Sequence, residues 1–276
     1  MTSYPLQCAV IGNPIAHSRS PEIHHAFAKQ CGLALQYQRL LANDNDFSDH
    51  VRGFFAQGGR GLNVTVPFKE KAFALADVIS PRAQQAGAIN TLWMQDGQLH
   101  GCNTDGIGLV QDLIRLDFDP KQQRVLLIGA GGAARGVLLP LIEAGVKQLR
   151  VVNRTAAKAQ QLISPLAQTT PALEAGGLGD TQGTWDIVIN ATSSSLQARH
   201  PLDTPLSFSS RSLAYDMVYG PEPTPFMQSC LQQGASHSAD GLGMLVAQAA
   251  ESFAIWHGQR PDPTPVLTFL RQQLES

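Results

Sequence analysis

"RVLLIGAGGAARGVLLPLIEAG", residues 124–145, reads as an apolar strand, a glycine turn and a helix. An apolar run without polar alternation marks a strand covered on both faces, as in a parallel sheet. Gly129, Gly131 and Ala134 stand at G-x-G-x-x-A spacing, and that spacing gains meaning from its place between strand and helix. Gly129 permits a tight turn, Gly131 keeps a Cβ away from an approaching pyrophosphate, and Ala134 lets helix and strand lie close. The helix N-terminus then offers unpaired N–H groups and the positive end of its dipole. The main chain from Gly129 through Ala130, Gly131, Gly132 and Ala133 is therefore a candidate phosphate cradle. The alternative is a glycine turn that merely joins strand to helix.

The next strand, in "QLRVVNRT" (148–155), ends at Asn153, Arg154 and Thr155, with Lys158 one helical turn on. A carboxylate here would bond a ribose 2′-hydroxyl and repel a 2′-phosphate, whereas a guanidinium can hold that phosphate through two bonds. The expected cofactor is therefore NADP, with Arg154 as the main phosphate ligand and Lys158 within reach as a second. Arg154 as a solvated strand-end cation is the alternative. "TWDIVINAT" and "SLAYDMVYG" read as further strands, so residues 105–240 are expected to form an α/β nucleotide-binding domain with a parallel sheet.

Upstream, strands at 6–12, 36–42 and 61–66 alternate with helices at 21–32 and 46–59, which makes a second α/β unit. Asp96-Gly97 between apolar runs marks a tight hairpin. The closing helices, in "GLGMLVAQAAESFAIWHG" and "PVLTFLRQQLES", have no strand partners and are assigned to this first unit. The expected organisation is 1–104 with 241–276 as one domain and 105–240 as the other.

The 276 residues are 43% apolar and 15% charged, with a formal net charge of -2, so a packed core is expected rather than disorder. Lys and Arg form no cluster, which argues against nucleic acid as a partner. No apolar run reaches the ~18 residues of a membrane span. Cys8, Cys31, Cys102 and Cys230 are scattered and the histidines show no H-x-x-x-H pair, so no metal site is expected. The N-terminus carries no basic n-region. A cytoplasmic protein fits these features; a small-molecule substrate and a monomeric or homodimeric state are expected separately, since composition fixes neither.

Three further stretches carry candidate chemistry. In "GNPIAHSRSPEIHH" (12–25), Ser18 and Ser20 flank Arg19, and in an extended segment residues two apart point the same way. Pro21 biases Ser20 toward that conformation. Two hydroxyls would then face one site, suited to a carboxylate or polyol; the alternative is that Ser20 caps the helix opening at Pro21. Asp105 in "NTDGIG" (103–108) opens an amphipathic helix, either as a cap or as the partner of a catalytic cation. Lys69 in "NVTVPFKEKA" (63–72) falls in a first helical turn, where the dipole disfavours a cation and a neighbouring carboxylate would favour it. A lysine balanced in this way can serve as a general acid or base. The alternative is an exposed lysine beside Glu70 and Lys71.

These stretches, together with "AGAINTL", "LIGAGGAARG", "INATSSS" and "ADGLGMLVAQAA", occur in an order that resembles the shikimate dehydrogenase family over nearly the whole chain. The resemblance implies two α/β domains, a substrate domain built from both chain ends and a Rossmann-like NADP domain between. It implies reversible reduction of 3-dehydroshikimate to shikimate with NADPH, in aromatic amino acid and chorismate biosynthesis. The family's catalytic lysine falls on Lys69 and its aspartate partner on Asp105. Substrate contacts fall on Ser18, Ser20, Thr65, Asn90, Gln248 and Tyr219, and the nicotinamide side on Met217, Gly241 and Met244. The chain departs from the family at Ser195, where Gly is frequent and a positive φ would strain a serine. It departs also at Cys102, where a polar residue is common, and at His25, where Asn is frequent. Rivals are a quinate/shikimate dehydrogenase with broader substrate or NAD use, and a non-catalytic ligand-sensing regulator. The second would be expected to lack Lys69 or Asp105, and both are present.

Overall fold

The computed structural model describes residues 5–166, 173–197, 199–202 and 204–275. The chain forms two compact units, Met1–Gly108 with Val246–Phe269, and Leu109–Leu245 with Leu270–Ser276.

The first unit runs β1 (Leu6–Gly12), α1 (Ser20–Gln30), β2 (Leu35–Leu41), α2 (Phe47–Ala56), β3 (Gly61–Val64), α3 (Lys69–Leu75), β4 (Val78–Ile79), α4 (Pro81–Ala86), β5 (Thr91–Gln95) and β6 (Gln98–Cys102). Its mixed sheet has the order β2-β1-β3-β5-β6-β4. β1 pairs in parallel with β2 and β3, while β3–β5 and β5–β6 are antiparallel. The turn at Asp96 (φ 51°) and Gly97 (φ 77°) has both residues left-handed, as a two-residue hairpin that follows strand twist requires. Alternate residues of β1 serve two cores. Ala9 and Ile11 pack with Leu62, Phe47 and Phe68, whereas Cys8 and Val10 pack with Tyr37 and Trp256. A Cβ at Gly61 would run into the Trp256 indole, so glycine here lets the C-terminal segment close on the sheet.

Then come α5 (Asp105–Arg115), β7 (Arg124–Ile128), α6 (Gly132–Glu143), β8 (Gln148–Val152), α7 (Ala156–Ile163), β9 (Leu173–Gly176), β10 (Thr184–Asn190), β11 (Ser207–Asp216), α8 (Pro225–Gln232), β12 (His237–Asp240), α9 (Leu242–His257) and α10 (Thr264–Glu275). The second unit's six strands are all parallel, in the order β12-β11-β10-β7-β8-β9. This is the Rossmann order, which reverses between β7 and β10; ligands of such sheets bind beyond the carboxyl ends at that point. Its core is continuous from Leu109 and Leu113 through Val125, Leu127, Val137 and Leu141 to Ile187 and Tyr215.

Three strands go unseen in the sequence. β4 has two residues, β12 is the polar "HSAD", and β9 is the short "LEAG". Sheet pairing, rather than pattern, makes them strands. Helix α7 closes at Ile163, with Ser164 as its C-cap, and residues 167–172 lie outside the described residues. No helix among the described residues is long and apolar enough to cross a membrane.

One buried group sets a pH response. His24 is fully buried, stacked on Tyr37 (4.5 Å) and Trp256 (5.2 Å), and neither ring nitrogen has a well-formed hydrogen bond among the described residues, the Asn63 side chain being only a weak neighbour. Burial, with the nearby His257 adding to it, lowers its pKa from 6.5 to about 3. The unfolded chain therefore takes up this proton below about pH 6.5 while the folded chain does not, and stability falls as pH drops from there toward 3. The slope is about 1.4 kcal/mol per pH unit for one full proton. His257, lowered to about 4 by burial, acts in the same direction. In urea unfolding between pH 7 and pH 4.5, His24→Phe is expected to lose stability less steeply than the wild type; equal slopes would contradict this.

Candidate active site

The chain end of β3, the start of α3, the segment between α4 and β5, and the start of α5 bring one set of side chains together in the first unit. Lys69 Nζ donates to Asp105 Oδ2 at 2.6 Å. The lysine side chain is 30% exposed and the aspartate 15%, so the pair is half-buried and still reachable. Asp105 is the only partner the Lys69 amine has among the described residues, which leaves its remaining N–H donors for a ligand. Both residues belong to one unit. The sequence had set them on opposite sides of a boundary at 104/105, but the pair forms inside a single body. The carboxylate's bonds go to Lys69 and Asn90, and this use replaces the capping role open to it in the sequence.

Asp105 is aimed by Asn90. The Thr104 N–H donates to Asn90 Oδ1 at 2.9 Å. A backbone N–H can only donate, so the amide orientation is settled and Nδ2 must face the other way. It donates there to Asp105 Oδ1 at 2.8 Å and reaches Gln248 Oε1 at 3.4 Å. Behind Asn90 lies a buried hydroxyl cluster. Thr91 Oγ1 donates to Asn90 Oδ1 (2.8 Å) and lies 2.8 Å from Ser252 Oγ, while Asn63 Nδ2 donates to Ser252 Oγ (3.1 Å). Thr104 Oγ1 has two acceptors in reach for its one proton, Asn90 Oδ1 (3.1 Å) and Gln248 Oε1 (3.2 Å), and Tyr37 OH donates to Asn63 Oδ1 (2.7 Å). Lys69 is tied to the same frame through its carbonyl, which accepts from Ile89 N at 2.9 Å.

Ser18 and Ser20 also come together, with Ser18 Oγ donating to Ser20 Oγ at 3.2 Å. The route differs from the extended one expected. Arg19 is helical (φ -86°, ψ -1°) and Ser20 is the first residue of α1, with no side-chain cap. A turn, rather than a strand, brings the hydroxyls together. Arg39 holds that turn, donating from Nε (3.0 Å) and Nη2 (2.6 Å) to the Ser18 carbonyl while pairing with Glu22. Thr65 follows β3, and its methyl would meet any Cβ placed at Gly12. His25 Nε2 accepts from Tyr37 N at 3.3 Å, and Cys102 is buried at the end of β6. The departure at His25 therefore has a local use, as an acceptor for the β2 backbone.

In the second unit the glycine turn stands where β7 ends. Gly129 has φ 112°, in the region that favours glycine. Gly131 is the N-cap of α6, and a Cβ at Gly131 or Gly132 would meet nothing within 4 Å. Open space thus lies over a helix N-terminus with free N–H groups, which suits a pyrophosphate. Ala134 is fully buried, as close helix packing needs. Ala130 and Ala133 complete the turn. Asn153 Nδ2 donates to Thr155 O at 3.0 Å, shaping the segment after β8. Arg154 and Lys158 are exposed there without an acidic partner among the described residues, whereas Arg150, within β8, is paired with Glu174. Two uncommitted cations beside the cradle fit a 2′-phosphate.

Ser195 does not take a positive φ; it lies in a short 3₁₀ turn, Ser194–Gln197. The strain expected for it is absent, and its hydroxyl donates to Asp216 Oδ2. Asp216 is fully buried and also accepts from Asn190, Thr224 and Val218 N. Met217 and Tyr219 follow β11, and a Cβ at Gly241 would run into the Met217 carbonyl. Met244 is buried in α9.

A model described as the shikimate dehydrogenase substrate binding domain matches residues 10–92. One described as shikimate / quinate 5-dehydrogenase matches 112–201, and one described as the shikimate 5'-dehydrogenase C-terminal domain matches 241–268. A shikimate dehydrogenase (NADP(+)) of Bordetella avium (strain 197N) is 56% identical over 281 residues, spanning 99% of each chain. The chain belongs to the shikimate dehydrogenase family. Among solved structures similar to this family member, an Ael1 enzyme from Pseudomonas putida has TM-score 0.90 at 42% identity, covering 98% of both chains. Shikimate 5-dehydrogenase from Thermus thermophilus, in complex with NADP(H) and shikimate, has TM-score 0.86 at 34% identity, covering 98% of this chain and 100% of that one.

Sequence reasoning on this family member missed Thr91, Thr104, Asn63, Ser252 and Asp216. Thr104 and Asn63 sit inside quoted motifs, but nothing local distinguishes a network member from a neighbour. Ser252 had no signal, being one small residue in an apolar helix. Asn90→Ala leaves the buried Thr104 N–H without its acceptor, an unsatisfied group worth about 1–3 kcal/mol. A loss of stability in that range is expected in urea unfolding, and a change below about 0.5 kcal/mol would mean that water or a hydroxyl replaces the amide.

Proposed function

We propose that the chain catalyses the reversible NADPH-dependent reduction of 3-dehydroshikimate to shikimate, with Lys69 and Asp105 as its acid–base pair. The observation that carries the residue assignment is the amine held at 2.6 Å by a carboxylate that Asn90 in turn orients. When bound, NADPH supplies the hydride that the substrate's C3 accepts. Lys69 donates a proton to the oxygen forming at C3, and a positive charge there stabilises the developing oxyanion. In the oxidative direction the same amine takes the hydroxyl proton. Asp105 keeps Nζ pointed at the reacting oxygen.

Ser18 and Ser20 hold the substrate carboxylate, and Tyr219 is a further substrate-binding residue. Thr65, Asn90 and Gln248 bond its hydroxyls, fixing the carbonyl against the amine. Gly129 to Ala133 hold the pyrophosphate. Arg154, with Lys158, holds the 2′-phosphate, while Asn153 and Thr155 shape that segment. Met217, Gly241 and Met244 line the nicotinamide. The protein works in the cytoplasm, a placement supported by four free cysteines.

Lys69→Ala is expected to lower kcat by roughly 10²–10⁴-fold while shikimate binding, measured by titration, changes far less. Near wild-type turnover would remove Lys69 from this role. Arg154→Ala is expected to raise the KM for NADPH by roughly ten- to a hundredfold and to leave that for NADH unchanged. A parallel rise for both cofactors would assign Arg154 to something other than the 2′-phosphate. Turnover of quinate beside shikimate in the same assay reports how much room the site leaves at C1.

A further inference from the structure

We infer that Arg271, in α10, is a positioning residue for the Met217–Gly220 segment. The inference rests on the proposal that this segment serves the nicotinamide and the substrate. Arg271 Nη1 donates to the Gly220 carbonyl at 3.0 Å, and Nη2 bonds Asp240 Oδ1. Asp240 Oδ2 accepts from Gly220 N at 3.4 Å, and its Oδ1 also accepts from Leu242 N at 3.2 Å. Both main-chain groups of Gly220 are thus held, one by the guanidinium and one by the carboxylate, and the two holders are bonded to each other. Gly241 N donates to Val218 O at 3.3 Å, closing the join between the end of β11 and the start of α9.

Asp240 is buried at 8% exposure, so its charge needs a partner, and Arg271 is the cation it has. A flat, forked guanidinium can bridge a carbonyl and a carboxylate at once, whereas a lysine ammonium is a point donor that fits the same two acceptors less well. Without Arg271 the Gly220 carbonyl loses its side-chain partner and Asp240 its counter-charge. The segment carrying Met217 and Tyr219 then keeps its hold at Met217 and Val218 but loses the restraint at Gly220, while the glycine cradle and Arg154 stay in place.

The test compares the full-length wild type with Arg271→Met and Arg271→Lys. Hydrogen exchange of the peptide spanning Met217–Glu222 reads the segment without any substrate. In the Met variant it is expected to exchange faster, with the peptide after β7 unchanged. At saturating shikimate and NADP, kcat is expected to fall by roughly ten- to a hundredfold, as for a misplaced reacting group. NADP affinity stays within about twofold, since that binding is dominated by phosphate contacts. Arg271→Lys, which keeps the charge, should recover part of the loss. Unchanged exchange in the Met variant overturns the proposal. So do equal losses in kcat, NADP affinity and melting temperature, which would mark general loosening. A wild type that shows no shikimate turnover counts against the proposed function instead, and the exchange measurement still decides the segment's restraint.

Discussion

A single backbone donor organises the candidate site. The Thr104 N–H can do nothing but donate, and by taking Asn90 Oδ1 it forces the amide nitrogen toward Asp105. The carboxylate in turn takes the lysine amine. Direction passes from main chain to amide to carboxylate to amine, and each step is fixed by what the preceding group can offer. The hydroxyls of Thr91, Thr104 and Ser252 behind Asn90 hold that orientation within a buried polar cluster. Each hydroxyl can rotate its proton to suit a neighbour, which is why a crowded set of side chains stays satisfied.

The second unit meets the same demand differently. Asp216 is a buried carboxylate with no cation bonded to it among the described residues; Ser195, Thr224, Asn190 and Val218 N supply donors to it. Hydrogen bonds to the ionised form can replace a counter-ion when enough of them converge. The consequence is a firm anchor for the turn after β10, next to Gly129, where a Cβ would touch Thr192 and Ala191. The glycine turn and its neighbouring loop therefore have their shapes set together.

Much of this could be read in the sequence. The strand–glycine turn–helix of 124–145 pointed to the parallel sheet and the cradle because both depend on residues adjacent in the chain. Local pattern left Lys69 and Asp105 as polar residues at two helix starts and only the family resemblance paired them, because their meeting depends on a sheet register that no local pattern encodes. Ser18 and Ser20 were paired for the wrong geometric reason: a helical Arg19 does what an extended one was expected to do. Ser195 looked strained because its position was judged by the glycine frequent there, yet the backbone at this point needs no left-handed residue. β12 and Ser252 stayed silent, since a polar four-residue strand and one buried hydroxyl acquire their roles only from partners far away in the chain.

The bond between Ile89 N and the Lys69 carbonyl links the peptide of the amine to the residue just before Asn90. The amine and the amide that aims its carboxylate are thus mounted on one hydrogen-bonded strut. When that stretch of backbone fluctuates, both ends travel together, so their spacing varies less than the position of either. A lysine–carboxylate pair mounted this way keeps its internal calibration while its surroundings breathe.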